Sequence, residues 1–188
     1  MSGWYNFIAL ISLVGWLLFS SAATSPASLE KEEKAGISPM AETLLVNLPD
    51  GAYQLCTEPD PQDWRDGAGV CLNCVKQGMS IDGYYGYPHS DSFVCLRGKL
   101  SKNWLYGEGM VISWVGNPWF EIPQKKFTWD KEERLNLSQG NLMHSDGIGE
   151  DRVKWIIFKQ ASLNMQGLYL YPNPRMTSPT QLCDWSFN

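Results

Sequence analysis

The stretch Trp104–Trp114, "WLYGEGMVISW", alternates between large apolar residues and small or polar ones with a period of two. Tyr106, Met110 and Ile112 would lie on one face of such a segment, and Glu108 is the exception on that face. A period of two is that of a β-strand, whereas a helix repeats every 3.6 residues. This stretch therefore predicts a strand and constrains the fold more than any other feature of the chain.

Short apolar runs separated by glycine, proline and turn residues continue from Pro49 onwards, and no long amphipathic helix is predicted there. Consecutive strands with short links favour an all-β fold, an antiparallel up-and-down meander closed into a small lipocalin- or avidin-like β-barrel that protects its edges. A β-sandwich is the alternative. The nine predicted strands are Gly51–Thr57, Val70–Lys76, Ser80–Tyr87, Phe93–Leu100, Trp104–Trp114, Lys125–Trp129, Leu135–Leu142, Val153–Gln160 and Leu163–Leu170.

The N-terminus carries no charged side chain up to Leu29 and contains the apolar run Phe7–Phe19. Small residues after this run fit a signal peptide over 1–23. The segment Trp4–Ala23 has 20 uncharged residues, enough for an uncleaved hydrophobic helix that anchors the chain in a membrane. Either interpretation predicts an extracytoplasmic protein, in a periplasm, in a lumen or secreted.

The remaining boundaries follow from composition. A polar linker is predicted over 24–48, the barrel over 49–172 and a proline-punctuated tail, packed on the barrel, over 173–188. The net charge is −5 and no basic stripe is visible, so nucleic acid is not an expected partner.

Five cysteines follow the N-terminal segment. An exported chain is expected to form two disulfides and leave one thiol, with Cys56, Cys71, Cys95 and Cys183 as the disulfide candidates and the pairing left open. Cys71 and Cys74 form a C-x-x-C motif, but residues three apart on a strand point to opposite faces. A structural role is therefore favoured over a metal or redox site.

Three stretches resemble a family of uncharacterised extracytoplasmic proteins from cyanobacteria. They are "DGAYQLCTEPDPQDWRDGAGVC", "GYYGYPHSDSFVCLRGK" and "LSQGN". The resemblance covers most of the region from Pro49 to Asn188. It implies an exported domain of bacterial origin, and it transfers no activity, ligand or site residue.

Both histidines lie in the same tripeptide, His-Ser-Asp, at His89–Asp91 and His144–Asp146. Adjacent residues cannot form a catalytic triad, because the base must sit between the nucleophile and the carboxylate. Each run is interpreted as a polar turn. The alternative is one divalent-metal site with His89, Asp91, His144 and Asp146 as ligands; otherwise no cofactor is expected.

In a strict meander, every second connection lies at the same end of the sheet. The longer connections, including both His-Ser-Asp runs, would then share one rim, where binding residues usually lie. A small apolar or sugar-like ligand, or a membrane protein complex, is the expected partner. The candidate binding residues are Trp64, Tyr85, Tyr87, His89, Asp91, Trp119, Glu121, His144 and Asp146, with Trp119 expected to be exposed.

These patterns favour an exported, non-catalytic binding or interaction module that uses the long-loop rim or the mouth of a small barrel. The alternative is a metal-assisted or carboxylate-based hydrolase that uses the same rim. For the carboxylate version, Asp82 and Glu108 form a possible glycosidase-like pair across a cavity.

Overall fold

The computed structural model of the protein describes residues 45–63, 67–114, 116, 118–149 and 152–186. The signal peptide or anchor predicted over 1–23 lies outside these residues, as do most of the predicted linker and Trp64. Within the part of the chain that is described, no helix is long and apolar enough to cross a membrane.

The fold is all-β, as predicted, with nine antiparallel strands in one sheet. A 3-10 turn at Leu45–Asn47 precedes the sheet, and a short helix, α1, at Pro179–Leu182 follows it. The strands are β1 (Gly51–Cys56), β2 (Cys71–Gln77), β3 (Ser80–Gly86), β4 (Phe93–Ser101), β5 (Trp104–Ser113), β6 (Phe127–Thr128), β7 (Leu135–Asp146), β8 (Val153–Asn164) and β9 (Tyr169–Leu170).

The sheet is a meander from β1 to β5 and then departs from strict sequence order. Strand β5 pairs with β8, β8 with β7 and β7 with β6, while β9 pairs with β1. The short strands β6 and β9 are the two edges, and no backbone pairing joins them among the described residues. The sheet is therefore a half-barrel; the predicted barrel closure is not seen, and a second, packed sheet is not present in the described chain.

Strand β8 runs through the residues Ala161 and Ser162, which the sequence pattern predicted to be a turn. Phe158 is buried, and so are Ala161 and Leu163, so the buried positions change parity within the strand. The register against β5 shifts at the same level, between Gly107 and Gly109. A β-bulge interrupts the alternation of buried and exposed side chains in this way, and in the sequence the interruption resembles a turn.

The two faces of the sheet carry different cores. The concave face holds one continuous cluster of aliphatic and aromatic side chains from β1 to β5, β7 and β8, including Tyr85 and Phe158. On the convex face, Tyr84, Cys95 and Met110 form a smaller cluster with residues of the C-terminal tail. Successive residues of β3 therefore serve different cores, as the alternation of side chains along a strand requires.

Because all neighbouring strands are antiparallel, the connections β1–β2, β3–β4, β5–β6 and β7–β8 leave the same end of the sheet. We call these connections the loop rim. The connections β2–β3 and β4–β5 at the opposite end are two-residue turns, with positive φ angles at Gly78 and Lys102.

Candidate functional site

A cleft of about 780 Å³ lies on the convex side of the sheet, next to the loop rim. It is bounded by the β1–β2 loop, by the β3–β4 turn and by residues 171–186, which we call the strap. Of the predicted binding residues, three line this strap cleft together: Tyr87, His89 and Asp91. The other main lining side chains are Tyr84, Phe93, Tyr171, Arg175, Met176 and Leu182.

Buried polar residues of the sheet hold the strap through its backbone. The Arg175 backbone N–H donates a hydrogen bond to Gln54 Oε1 at 2.6 Å. The Thr177 carbonyl oxygen accepts hydrogen bonds from Asn73 Nδ2 at 2.6 Å and from the Tyr84 hydroxyl at 2.8 Å. Gln54, Asn73 and Tyr84 are each 2% exposed, so they need these partners to avoid an unsatisfied polar group.

A disulfide and a cation–π contact fix the far end of the strap. Cys183 is bonded to Cys95 of β4, and the other disulfide joins Cys56 to Cys71 across β1 and β2. The Arg97 guanidinium carbon lies 3.8 Å from the centre of the Trp185 ring.

The prediction of two disulfides among these four cysteines is confirmed, and the pairing indicates an oxidising environment. Cys74 is the remaining thiol, and it is buried.

The near end of the strap binds the β1–β2 loop. The Tyr171 hydroxyl donates to the Glu58 carbonyl at 3.1 Å, and Arg175 Nη2 lies 2.8 Å from Asp60 Oδ1. Arg175 Nη1 also donates to the Pro61 carbonyl at 3.2 Å. Burial, and next the Asp60 carboxylate, raise the pKa of Tyr171 to about 12.

The first His-Ser-Asp run forms the β3–β4 turn, as predicted. The Ser90 hydroxyl donates to the Tyr87 carbonyl at 2.8 Å and accepts from the Ser92 N–H at 3.1 Å. His89 has a φ angle of 58°, and its side chain is exposed at the mouth of the strap cleft. Ser90 is thus a turn residue, and the turn presents His89 and Asp91 to the cleft.

The second His-Ser-Asp run differs from the predicted turn, because His144 and Asp146 belong to β7. The turn begins at Gly147, which has a φ angle of 95° and whose N–H donates to Asp146 Oδ1 at 2.8 Å. The ring centres of His144 and Trp155 are 5.0 Å apart. The two aromatic side chains therefore form a cross-strand pair on β7 and β8.

The structure does not bring the four predicted metal ligands into one cluster. Strands β4, β5 and β8 lie between β3 and β7 in the sheet. In the described parts of the chain, no group of three or more His, Cys, Asp or Glu side chains is arranged to hold a metal ion. His144 and Asp146 are therefore not part of the site that contains His89 and Asp91.

Tyr85, predicted to contact a ligand, is instead fully buried in the concave core. Its hydroxyl donates to Asp130 Oδ2 at 2.8 Å, and burial raises its pKa above the ordinary tyrosine range. Tyr87 is half-buried and its hydroxyl donates to Glu132 Oε2 at 2.7 Å. Of the two tyrosines, only Tyr87 lines the strap cleft.

Trp119 was expected to be exposed, but the structure buries much of it. Its ring packs against Phe158 of β8 and Phe127 of β6, with centres 5.5 Å and 5.8 Å apart. The exposed residues are its neighbours Phe120, which is 89% exposed, and Glu121. Trp119 therefore contributes to the filling of the concave face.

Asp82 and Glu108 lie at mid-sheet on the convex face and not on the loop rim. Arg97 is the register partner of both, on the strand between them. A glycosidase needs substrate between its two carboxylates. Here a guanidinium side chain occupies the intervening strand, which argues against this pair as an acid–base pair.

Much of the strap cleft could not be found from the sequence. Tyr84, Phe93 and Arg175 were not among the candidates, because their role depends on the docking of the C-terminal strap. The available signal was the presence of amide side chains, Gln54 and Asn73, within otherwise apolar strands.

Comparisons with protein-family models, with curated proteins and with solved structures found no match to this chain.

Proposed function

We propose that the protein is an exported, non-catalytic binding module that takes a small, largely apolar ligand into the strap cleft. The observation that carries this proposal is the cleft itself, which is formed by parts of the chain more than 100 residues apart in sequence. It joins the loop rim, where the sequence predicts the binding residues, to the strap.

The size and lining of the cleft support a small ligand. Ligand sites are usually concave, have volumes of about 300–1,000 Å³ and are lined by apolar and aromatic side chains with a few polar groups. Phe93, Met176 and Leu182 give the strap cleft an apolar wall. His89 and Asp91 lie at its edge and would orient a polar end of the ligand.

Export is supported by two features. Both disulfides need an oxidising compartment to persist, and the N-terminal sequence has the composition of a signal peptide or a membrane anchor. The proposed location is therefore a periplasm, a lumen or the extracellular space, with a tether to the membrane if the N-terminal segment is retained.

The test is a titration with the fluorescent apolar probe N-phenylnaphthylamine, which brightens when it enters an apolar site. The wild-type protein is expected to bind it, and Met176→Ala is expected to weaken binding by about tenfold through the loss of apolar contact. Met79→Ala is the matched control, because Met79 lies in the β2–β3 turn at the opposite end of the sheet. Equal affinity of Met176→Ala and wild type would contradict the proposal.

A further inference from the structure

The convex face of the sheet carries a pair of stacked aromatic rings on β5. Tyr106 is 50% exposed, and its ring centre lies 5.9 Å from that of Trp104, with 16° between the ring planes. Side chains two positions apart on a strand point to the same side of the sheet, so Trp104 and Tyr106 form one platform. Neither residue belongs to the strap cleft.

Polar side chains extend from this platform in both directions, in a row that crosses six strands including β5. The backbone register places them in one row that crosses β3, β4, β5, β8, β7 and β6. At about 4.8 Å between strands, the row is roughly 24 Å long. We call it the convex band, and its members are Ser80, Lys99, Tyr106, Ser162, Asn136 and Thr128.

A second row borders the convex band on the same face. Asp82, Arg97 and Glu108 are register partners on β3, β4 and β5. On β7 and β8, the Ser138 hydroxyl donates to Gln160 Oε1 at 3.0 Å. The convex band and this second row together are therefore rich in hydroxyl, amide and carboxylate groups that can donate and accept hydrogen bonds.

The surface is grooved on both sides of Tyr106. One cleft of about 710 Å³ extends towards β2 and α1, and another of about 360 Å³ extends towards β7. Tyr106 and Gly107 line both clefts. The two clefts therefore meet at Tyr106, whose exposed ring lies between them.

We propose that the convex band is a second binding site and that its ligand is an extended polysaccharide chain. A sugar ring has an apolar face of C–H groups, which can stack on an aromatic ring, and a rim of hydroxyl groups, which pair with amides, hydroxyls and carboxylates. The convex band and the row beside it supply both, because polar groups flank the Tyr106–Trp104 platform in both directions.

The charge of the convex face argues against a nucleic acid as the extended polymer that binds there. Arg97 and Lys99 alternate with Asp82 and Glu108 on this face, and the whole chain carries a net charge of −5. A nucleic acid needs a predominantly basic surface to bind its phosphates. A mixed surface with one exposed aromatic platform matches the chemistry of a sugar chain better.

One residue of the second row is held in place before any ligand binds. The Arg97 guanidinium lies over the Trp185 ring of the strap, and α1 of the strap contributes Pro179 and Thr180 to the larger cleft. A side chain that is already ordered loses less conformational entropy on binding. The strap therefore helps to build this site as well as the strap cleft.

The test is affinity electrophoresis of the full-length protein in native gels that contain mixed-linkage β-glucan, glycogen or alginate. At least one of these polysaccharides is expected to retard the wild-type protein. Tyr106→Ala should weaken that retardation by about tenfold, near the upper end for an aromatic contact. Tyr106→Phe keeps the ring and should retain binding within about twofold.

Phe120→Ala is the matched control, because Phe120 is 89% exposed but lies on the loop rim. It should bind like the wild type, and so should Met176→Ala, which separates this proposal from that for the strap cleft. Thermal unfolding checks that each variant is folded. Absence of retardation of the wild type by all three polysaccharides, or equal retardation of folded Tyr106→Ala and wild type, would overturn the proposal.

Discussion

At the scale of single residues, Asp130 organises the segment between β6 and β7. It is 6% exposed, and its carboxylate accepts hydrogen bonds from the Tyr85 hydroxyl and from the backbone N–H groups of Arg134 and Leu135. A buried carboxylate needs such donors to remain stable. Asp130 thus links Tyr85 of β3 to the turn that leads into β7.

Removal of the Tyr85 hydroxyl tests this arrangement. We expect Tyr85→Phe to lower the free energy of unfolding by about 1–3 kcal/mol, because a buried carboxylate loses one donor. Tyr87→Phe is the matched control, because its hydroxyl bonds to the exposed Glu132, and it should cost less than about 1 kcal/mol. Urea denaturation measures both variants. Equal losses of unfolding free energy in the two variants would show that the burial of Asp130 does not cause the destabilisation by Tyr85→Phe.

The thiol of Cys74 predicts a dependence of stability on pH. Burial raises its pKa from 9.0 to about 12. The folded thiol therefore keeps its proton while the unfolded thiol loses it above pH 9, so stability is complete below pH 9 and falls as the pH rises towards 12. The limiting contribution of one proton is about 1.4 kcal/mol per pH unit.

Cys74→Ala isolates this contribution, because the buried tyrosines titrate equally in both proteins. Urea denaturation of wild type and variant at several pH values from 8 upwards should show a steeper loss for the wild type. The same slope in both proteins would mean that Cys74 is not protonated differently in the folded and unfolded states.

At the scale of elements, the strap is held by side chains of the sheet more than by strand pairing. Strand β9, which leads into the strap, pairs with β1 over two residues only, whereas Asn73 and Tyr84 both bind the Thr177 carbonyl of the strap. The strap should consequently be the part that opens first when one of these side chains is removed.

Asn73→Ala tests that order of opening. It removes a buried amide that bonds to Thr177 and to the Tyr84 hydroxyl. We expect amide hydrogen exchange in residues 171–186 to accelerate by about tenfold or more, while exchange in β4 and β5 stays near the wild-type rate. Asn141→Ala, an exposed asparagine on β7, is the control and should change neither. Uniform acceleration across the sheet would contradict a separately opening strap.

The first five strands could be predicted to within one or two residues, because their apolar residues alternate and turn-forming residues separate them. The prediction failed where alternation itself fails. In β8 the buried positions change parity at Ala161, so the sequence there resembles a turn although the strand is continuous. In β7 the register shifts at His144, so the sequence there resembles the end of a strand although the strand continues.

The candidate site was predictable only in part, for a reason of sequence distance. His89, Asp91 and Tyr87 are local to one hairpin, and their common position followed from the strand count. The opposite wall comes from the strap, which begins 80 residues after Asp91 in the sequence. Such packing has no periodic pattern in the sequence, and its trace there is the pair of amide side chains, Gln54 and Asn73, within otherwise apolar strands.

At the scale of the whole molecule, the two disulfides close loops of very different length. Cys56 and Cys71 are 15 residues apart, whereas Cys95 and Cys183 are 88 residues apart. In the chain-entropy description, the longer loop restricts the unfolded state more. The expected contributions are about 3 kcal/mol for the shorter loop and about 4.5 kcal/mol for the longer one.

These sizes predict how the protein responds to loss of each disulfide. Their sum is comparable to the whole stability of a typical domain, about 5–15 kcal/mol, so full reduction should unfold a large fraction of the molecules. The paired variants Cys56→Ser with Cys71→Ser, and Cys95→Ser with Cys183→Ser, separate the two bonds. The second pair should lose more stability in guanidinium unfolding and should also lose the strap cleft, seen as weaker binding of N-phenylnaphthylamine. The reverse order of stability, or an intact cleft without the Cys95–Cys183 bond, would show that buried polar contacts alone hold the strap.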